Sequence, residues 1–203
     1  MSRGLVSLLS CLLSLPSVPA QAVDIVPFVG FRFGGNVDAT PTGATIPESL
    51  TINAALSYGG MLDIPISKER SVELYYSRQP TTLSGGGTLT EPLRDVTVSV
   101  LQIGLVDSYQ TDDERFRWLL EGMFGATQLN ATGGSATRAS IGLGGGFLWM
   151  ASPHVGLRGD IRTFITFTGG GGGSIVCGGG CTVSLATTAI AQGEATLGLV
   201  ARF

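Results

Sequence analysis

Apolar and polar residues alternate with a period of two along most of the chain, and the last stretch shows this most simply. Counting back from Phe203 in steps of two gives only apolar positions, whereas the positions between them are mostly small or polar: Ala201, Leu199, Leu197 and Ala195 against Arg202, Val200, Gly198 and Thr196. This period is typical of a β-strand whose two faces meet different surroundings. We therefore predict a last strand that pairs with the first one and closes a barrel, with its apolar face toward lipid.

The same alternation predicts eight strands in all. We place them at residues 24–35, 50–64, 70–79, 94–109, 115–127, 138–150, 155–167 and from about 187 to 203. The connections alternate in length, and the long ones are residues 36–49, 80–93, 128–137 and 168–185. Short turns on one side and long loops on the other are typical of outer-membrane barrels with both chain ends in the periplasm. The predicted fold class is all-β, an eight-stranded antiparallel up-and-down transmembrane β-barrel in the cell outer membrane.

Charged residues of the predicted strands fall on the face opposite the long aliphatic side chains: Arg32, Glu73, Glu121, Arg158, Asp160, Arg162 and Glu194. A soluble eight-stranded barrel would have the reverse arrangement, with a polar outside and an apolar inside. An arginine on the lipid face costs about 2–4 kcal/mol at the bilayer midplane, so these charges should face the interior. An interior of eight strands is only wide enough for side chains. We predict a salt-bridge network that fills the lumen and leaves no large pore.

The register of the fourth predicted strand is ambiguous. Leu101, Ile103 and Leu105 alternate with Gln102, but further upstream the phase of Gln102 is occupied by apolar residues: Val96, Val98 and Val100. One explanation is a bulge near Val100 that shifts the register. The other is that this half of the strand stands above the membrane and follows a relaxed pattern. The sequence leaves both open.

The first residues of the chain predict export. Residues 1–22 combine Arg3, an apolar run with serines and prolines, and an A-x-A cleavage site at residues 20–22, which is the pattern of a secretory signal peptide. Residues 23–203 would then form the barrel domain. Removing the signal peptide leaves two of the three cysteines, Cys177 and Cys181. An even pair in an exported protein predicts one disulfide.

Several classes of function are disfavoured by the sequence. A single lysine and a net charge of −3 argue against a nucleic-acid partner. The only histidine, His154, lies beside Ser152 in a short turn on the predicted periplasmic side, so we predict no enzymatic activity. The glycine runs lack the phosphate-loop pattern, and the acids at residues 112–114 lack the spacing of a calcium loop. We therefore expect neither a cofactor nor a metal.

The eight-strand alternation, the leader, the opening sequence VPFVGFRFGG at residues 26–35 and the terminal Phe203 together resemble the small outer-membrane β-barrel superfamily of Gram-negative bacteria, the OmpA/OmpX/OmpW-like group. The resemblance implies that Phe203 is part of the signal read by the barrel-assembly machinery, and that periplasmic chaperones deliver the unfolded chain. We also expect a monomer surrounded by outer-membrane lipid and lipopolysaccharide.

The resemblance does not imply one activity, since the group serves several functions on one fold. We expect a structural role, either stabilising the envelope or interacting with the surroundings in the manner of an adhesin. The alternative is a narrow channel or transporter for small hydrophobic compounds, which similarity to the OmpW-like proteins would allow.

Overall fold

The computed structural model describes residues 22–40, 48–85, 94–131, 134–168, 174–177, 181–185 and 189–203. In these ranges every regular element is a β-strand, and no helix is long and apolar enough to cross a membrane. Residues 1–21 of the predicted signal peptide and the glycine run at residues 169–173 lie outside the described residues.

Twelve strands follow one another in the described residues: β1 (Asp24–Gly34), β2 (Asn36–Thr40), β3 (Glu48–Ile52), β4 (Ala55–Pro65), β5 (Arg70–Gly85), β6 (Arg94–Gln110), β7 (Phe116–Ala131), β8 (Gly134–Met150), β9 (Val155–Phe167), β10 (Ser174–Cys177), β11 (Cys181–Leu185) and β12 (Ala189–Arg202). Eight of them pair antiparallel in the order β1-β4-β5-β6-β7-β8-β9-β12, and β12 pairs again with β1. The sheet therefore closes on itself, which confirms the predicted eight-stranded antiparallel barrel.

The seam between β1 and β12 joins the two ends of the described chain. Its register runs from Asp24 opposite Arg202 to Gly34 opposite Gln192. The backbone N–H of Phe203 donates to the carbonyl of Val23 at 3.0 Å, and the N–H of Val23 donates to the carbonyl of Phe203 at 3.1 Å. The predicted pairing of the first and last strands is confirmed. We call this end of the barrel the terminal end, and the opposite end the loop end.

At the loop end, the strands occupy residues that the sequence analysis assigned to loops. β2 and β3 form a hairpin from the first predicted loop, and β10 pairs with β11 inside the fourth. The sheet order β10-β11-β2-β3-β5 prolongs the barrel wall. The third predicted loop, residues 128–137, is wrong, because β7 and β8 stay paired until only residues 132–133 separate them. Thr- and Gly-rich sequence suggests a loop, but hydrogen bonding to a neighbouring strand satisfies the same backbone groups.

The outer face of the barrel is apolar. Large hydrophobic side chains are exposed on every barrel strand, with Leu56, Ile161 and Phe124 exposed by 72%, 69% and 65%. The seven charged side chains predicted for the lumen are buried inside, with Arg32, Glu73 and Glu194 at 0%. A soluble protein rarely exposes so large a continuous apolar surface. The surface is that of a barrel surrounded by hydrocarbon, because in lipid only helices and closed barrels satisfy all of their backbone groups.

The register of β6 is continuous, from Arg94 opposite Leu83 to Asp107 opposite Arg70. There is no bulge near Val100, so that explanation of the ambiguous pattern is wrong. The upstream valines point into the barrel beside Gln102, and Val98 and Val100 are fully buried. The inward face of β6 therefore changes from polar to aliphatic toward the loop end.

Ile52 is the other exception to the alternation. The period of two places Ile52 on the same face as the outward Leu56, yet only 1% of the Ile52 surface is exposed. The chain leaves the strand conformation at residues 53–54, between β3 and β4. There the side-chain amide of Asn53 donates to Thr82 Oγ1 at 2.7 Å and to Ser84 Oγ at 2.8 Å. This break shifts the phase of the alternation and turns Ile52 inward.

Candidate functional site

Charged side chains from four strands meet inside the barrel, in the half nearer the terminal end. Arg158 on β9 is their centre, because its guanidinium contacts four carboxylates. Its Nη1 lies 2.6 Å from Asp63, its Nη2 lies 2.6 Å from Glu73 and 2.7 Å from Glu121, and its Nε lies 2.9 Å from Asp160. All five residues are buried, so this is an internal ion network and not a set of surface pairs.

Arg162 completes this network, which we call the Arg158 cluster: Asp63, Glu73, Glu121, Arg158, Asp160 and Arg162. The Arg162 Nε lies 2.6 Å from Glu121, and its Nη2 lies 3.0 Å from Glu73. Its guanidinium carbon also lies 4.4 Å from the centre of the Tyr75 ring. A cation over an aromatic face is stabilised by the ring quadrupole, more so where water is excluded.

A second ion pair lies further toward the loop end. Arg32 Nη2 is 3.0 Å from Glu194 Oε1, and Ser77 bonds to both partners, accepting from Arg32 at 2.6 Å and donating to Glu194 at 3.0 Å. The Tyr75 hydroxyl donates to the other Glu194 oxygen. Both charges are completely buried. Hydrogen bonds from neutral groups thus complement the ion pair, as buried charges require.

An aromatic layer lies between the Arg158 cluster and the Arg32–Glu194 pair. The ring centres of Phe28 and Tyr75 are 5.5 Å apart and stacked, and those of Tyr75 and Phe164 are 5.7 Å apart. Arg32 packs over Phe164, 5.0 Å from the ring centre. Ions and aromatic rings together fill the barrel interior over this length.

Glycines on β8 leave room for these long side chains. A Cβ built on Gly144 would lie 2.7 Å from Arg162 Cγ, and one on Gly146 would lie 2.6 Å from Asp160 Oδ1. A Cβ on Gly142 would lie 2.5 Å from Gln102 Oε1. Such distances are shorter than van der Waals contact, so β8 contributes space where the facing strands contribute charge.

The interior on the loop-end side of the Arg32–Glu194 pair is different. Here Gln102 donates to Ser140 at 3.0 Å and Thr166 donates to Thr127 at 3.0 Å. Beyond them buried aliphatic side chains lie among buried polar ones: Ile52, Val96, Val98, Leu129 and Ile190 with Gln79, Thr81 and Gln192. The lumen is thus layered, with the ion networks toward the terminal end and a mixture of aliphatic and uncharged polar side chains toward the loop end.

A cavity of about 300 Å³ opens at the terminal end and reaches the Arg158 cluster. Asp63 and Arg158 lie at its inner side, and Lys68, Arg117 and Arg202 are among its other lining residues. Arg202 forms two hydrogen bonds of 2.7 Å with Asp24. Water at this end of the barrel therefore has a route to Asp63 and Arg158.

All seven charges predicted for the lumen lie inside the barrel. Arg32 pairs with Glu194, and the other five belong to the Arg158 cluster. Asp63 and Tyr75 also contribute to these interactions, although they were not among the predicted residues. Both fall in the inward phase of their strands, so the alternation contained the signal.

The other predicted sites lie at the two ends of the barrel. The Cα atoms of Cys177 and Cys181 are directly opposite each other in the register of β10 and β11, and the disulfide between them stays a prediction. Phe203 lies at the terminal end, with 76% of its surface exposed. The Ser152 hydroxyl accepts hydrogen bonds from the backbone N–H groups of His154 at 3.4 Å and Val155 at 3.1 Å, so it stabilises the turn at residues 151–154.

No family profile and no curated protein match the sequence. Solved structures do match the fold. Neisserial surface protein A is similar with a TM-score of 0.61 and 12% identity, over 89% of this chain and 97% of that one. OprG from Pseudomonas aeruginosa gives 0.63 and 11%, over 90% and 96%, and AlkL, determined in lipid bilayers, gives 0.57 and 11%, over 90% of each chain. At such identities the likeness concerns architecture alone, and the chain has the fold of the small eight-stranded outer-membrane β-barrels.

Proposed function

We propose that the protein is an integral outer-membrane barrel with a closed lumen, which stabilises the envelope and presents its loop end to the surroundings. The observation that supports this most is the filled interior. Two buried ion groups and an aromatic layer occupy the space that a solute would need. With both chain ends in the periplasm, the loop end faces outward and the barrel wall is surrounded by lipid and lipopolysaccharide.

The strands at the loop end support the surface part of this proposal. β2, β3, β10 and β11 form a sheet that continues the wall beyond the closed barrel through β5. A rigid barrel that carries such a projecting sheet resembles a scaffold with a recognition surface, because binding residues are commonly placed on segments held by a rigid framework. The partner would be a macromolecule or surface outside the cell.

Conductance in a planar lipid bilayer tests the closed lumen. We expect the refolded protein to show no stable conductance, because the ions and rings fill the section of the barrel. A variant that empties this section, Tyr75→Ala with Phe164→Ala, should conduct if it folds, and Phe124→Ala on the lipid face is the matched control. A stable, large conductance of the unmodified protein would contradict the proposal.

Removal of the loop-end hairpin tests the surface role. A chain lacking residues 174–185 should keep the resistance of the cells to detergent if only the barrel stabilises the envelope, but should lose attachment of the cells to host or abiotic surfaces. If the cells lose both detergent resistance and attachment, or lose neither property, this hairpin is not a recognition surface.

The route to the membrane belongs to the same proposal. The signal peptide would be cleaved after residue 22, and periplasmic chaperones would deliver the unfolded chain. The barrel-assembly machinery would then recognise Phe203 and insert the barrel into the outer membrane. Amino-terminal sequencing of protein from purified outer membranes tests the cleavage, and an uncleaved chain would contradict it.

A second candidate function is passage of small hydrophobic compounds. It is favoured by the aliphatic interior near the loop end, where Ile52, Val96, Val98, Leu129 and Ile190 are buried. Because the Arg32–Glu194 pair lies beneath this region, such a compound would have to leave through the barrel wall. Val98→Arg would block entry and reduce uptake of an apolar tracer by cells, whereas uptake unchanged by this substitution favours the closed barrel.

A further inference from the structure

The Arg158 cluster contains more acids than bases. Its four carboxyl groups surround only two guanidinium groups, those of Arg158 and Arg162. The four acids are Asp63, Glu73, Glu121 and Asp160. None of the six side chains is more than slightly exposed. If every group were ionised, two negative charges would remain uncompensated inside the barrel. A buried acid in that position takes up a proton in preference to remaining charged.

The geometry of Asp63 and Glu73 favours a proton on one of these two residues. These two residues are direct cross-strand partners on β4 and β5, and both point into the barrel. Like charges directly opposite each other on a sheet repel. Both carboxyl groups lie 2.6 Å from the same guanidinium, that of Arg158, and Asp63 Oδ1 is buried without a hydrogen-bond partner within the described residues. A proton on one of the two carboxyl groups removes the repulsion between them and turns that group into a hydrogen-bond donor.

Glu121 and Asp160 form the second pair. Both bind the same guanidinium, that of Arg158, at 2.7 Å and 2.9 Å, so their carboxyl groups are held close to each other. Asp160 in addition accepts a hydrogen bond of 3.3 Å from the Thr196 hydroxyl. One proton in each pair makes the charge of the cluster zero, with two carboxylates facing two guanidiniums.

The charges on the surrounding strands do not change this balance. At this level β6 contributes Gly104 and Val106 to the interior, and β8 contributes glycines and Leu148. On β1 and β12 the nearest charges are Asp24 and Arg202, which neutralise each other. The Arg32–Glu194 pair is likewise neutral.

Two further cations, Lys68 and Arg117, line the cavity at the terminal end and form no ion pair within the described residues. The buried Leu119 separates Arg117 from Glu121 on β7. Both cations are in contact with solvent at the mouth of the barrel, where their charge is screened, so they do not neutralise the buried excess.

We propose that the Arg158 cluster is a proton-binding site that holds two protons at neutral pH, one between Asp63 and Glu73 and one between Glu121 and Asp160. The cavity that reaches Asp63 and Arg158 gives water at the terminal end access to the proton of the Asp63–Glu73 pair. Because the folded chain then binds more protons than the unfolded chain, its stability decreases as the pH rises above neutral. This inference does not depend on the proposed function.

Infrared spectroscopy of the full chain refolded into lipid vesicles tests the site. At neutral pH we expect a protonated-carboxyl carbonyl band that shifts in D₂O. Asp63→Asn should remove one component of the band and Asp160→Asn the other, because an amide imitates the protonated acid without titrating. Asp107→Asn is the matched control, since Asp107 is exposed and paired with Arg70, and it should leave the band unchanged.

Urea unfolding of the unmodified protein as a function of pH is the second measurement, and it does not rely on any variant folding. Stability should fall between neutral and alkaline pH, and more protons should be bound by the folded than by the unfolded chain. The absence of a protonated-carboxyl band at neutral pH would overturn the proposal. So would stability that depends on the concentration of sodium or calcium and not on pH, since a cation would then balance the charge.

Discussion

Arg32 and Glu194 are direct cross-strand partners on the first and last strands of the barrel, and their side chains form a fully buried ion pair of 3.0 Å. This pair can therefore form only when β12 lies beside β1, so closure of the seam completes this part of the lumenal network. Ser77 and Tyr75 from β5 bind the same glutamate, so the seam is also tied to β5 across the lumen.

Breaking this pair should strongly destabilise the folded barrel. Arg32→Gln leaves Glu194 buried without its cation, and the loss of one partner of a buried pair costs about 3–5 kcal/mol. Adding Glu194→Gln to this variant should restore part of the loss, since both charges are then gone. Urea unfolding in vesicles measures both. Arg70→Gln, which breaks an exposed pair with Asp107, should have a far smaller effect, and equal effects of the two arginine substitutions would contradict the prediction.

Adding one methyl group to the interior at Gly144 should also destabilise the barrel. The new Cβ would lie 2.7 Å from Arg162 Cγ, so the arginine must move from its carboxylate partners. Overpacking of this kind typically costs about 1–3 kcal/mol. Gly122→Ala is the matched control, because a Cβ there meets nothing within 4 Å, and it should be neutral or slightly stabilising. Unfolding midpoints that rank the two variants in the opposite order would show that Gly144 is not closely packed.

A charge on the outer face should show that this face meets lipid. Leu143 lies in the middle part of β8 and is 64% exposed, so Leu143→Arg should cost about 2–4 kcal/mol in a bilayer. Ile66→Arg, in the turn at the terminal end, introduces the same charge outside the apolar band and should cost much less. Urea unfolding in phospholipid vesicles compares the two. Similar values would mean that the apolar band does not contact hydrocarbon.

Phe203→Ala should separate assembly from stability. The ring is 76% exposed, so its removal takes away little packing, and the backbone hydrogen bonds to Val23 remain. We expect a normal unfolding midpoint in vitro and a reduced amount of protein in the outer membrane of cells. Leu199→Ala is the control, because Leu199 on β12 is exposed as well, and this variant should be assembled normally. Normal membrane levels of the Phe203 variant would contradict an assembly signal at this residue.

The two cysteines at the loop end should be joined in protein taken from the envelope. Directly opposed residues on antiparallel strands have Cα atoms about 4.5–5.5 Å apart, which lies within the range of disulfides. Mass spectrometry without reduction should find Cys177 and Cys181 linked. Their short ring should add little global stability, because few residues are constrained in the unfolded chain. Cys177→Ser should therefore unfold at the same denaturant concentration, and two free thiols in the native protein would refute the link.

The barrel could be predicted from the sequence because one face of each strand meets lipid and the other meets the barrel interior, which imposes a period of two on the side chains. Leu56 and Tyr58 face outward and Ser57 faces inward, as their alternation indicates. The pattern failed at Ile52, where Asn53 interrupts the strand. It was also ambiguous at Val98, because a period of two identifies a face but does not tell whether the inner surroundings are polar or apolar.

The network was less predictable than the barrel. Its inward charges follow from the alternation, but their partners depend on the stagger between strands, which the sequence does not contain. Arg158 contacts Asp63 across the barrel, although 95 residues separate them in the chain. The seven predicted charges already include one acid more than bases, and Asp63, which lies opposite Glu73, raises this excess to two.

The ion pair between Asp24 and Arg202 has a consequence for the order of folding. Its partners are 178 residues apart in the chain, and the other seam pair, Arg32 with Glu194, spans 162. Contacts of such long range are slow to form, because the entropy of loop closure is lost before they are gained. Until β12 arrives, β1 and β9 each have an unpaired edge, and unpaired edges promote aggregation. The barrel should therefore complete folding in one late step, and a chain shortened before residue 189 should remain dependent on chaperones.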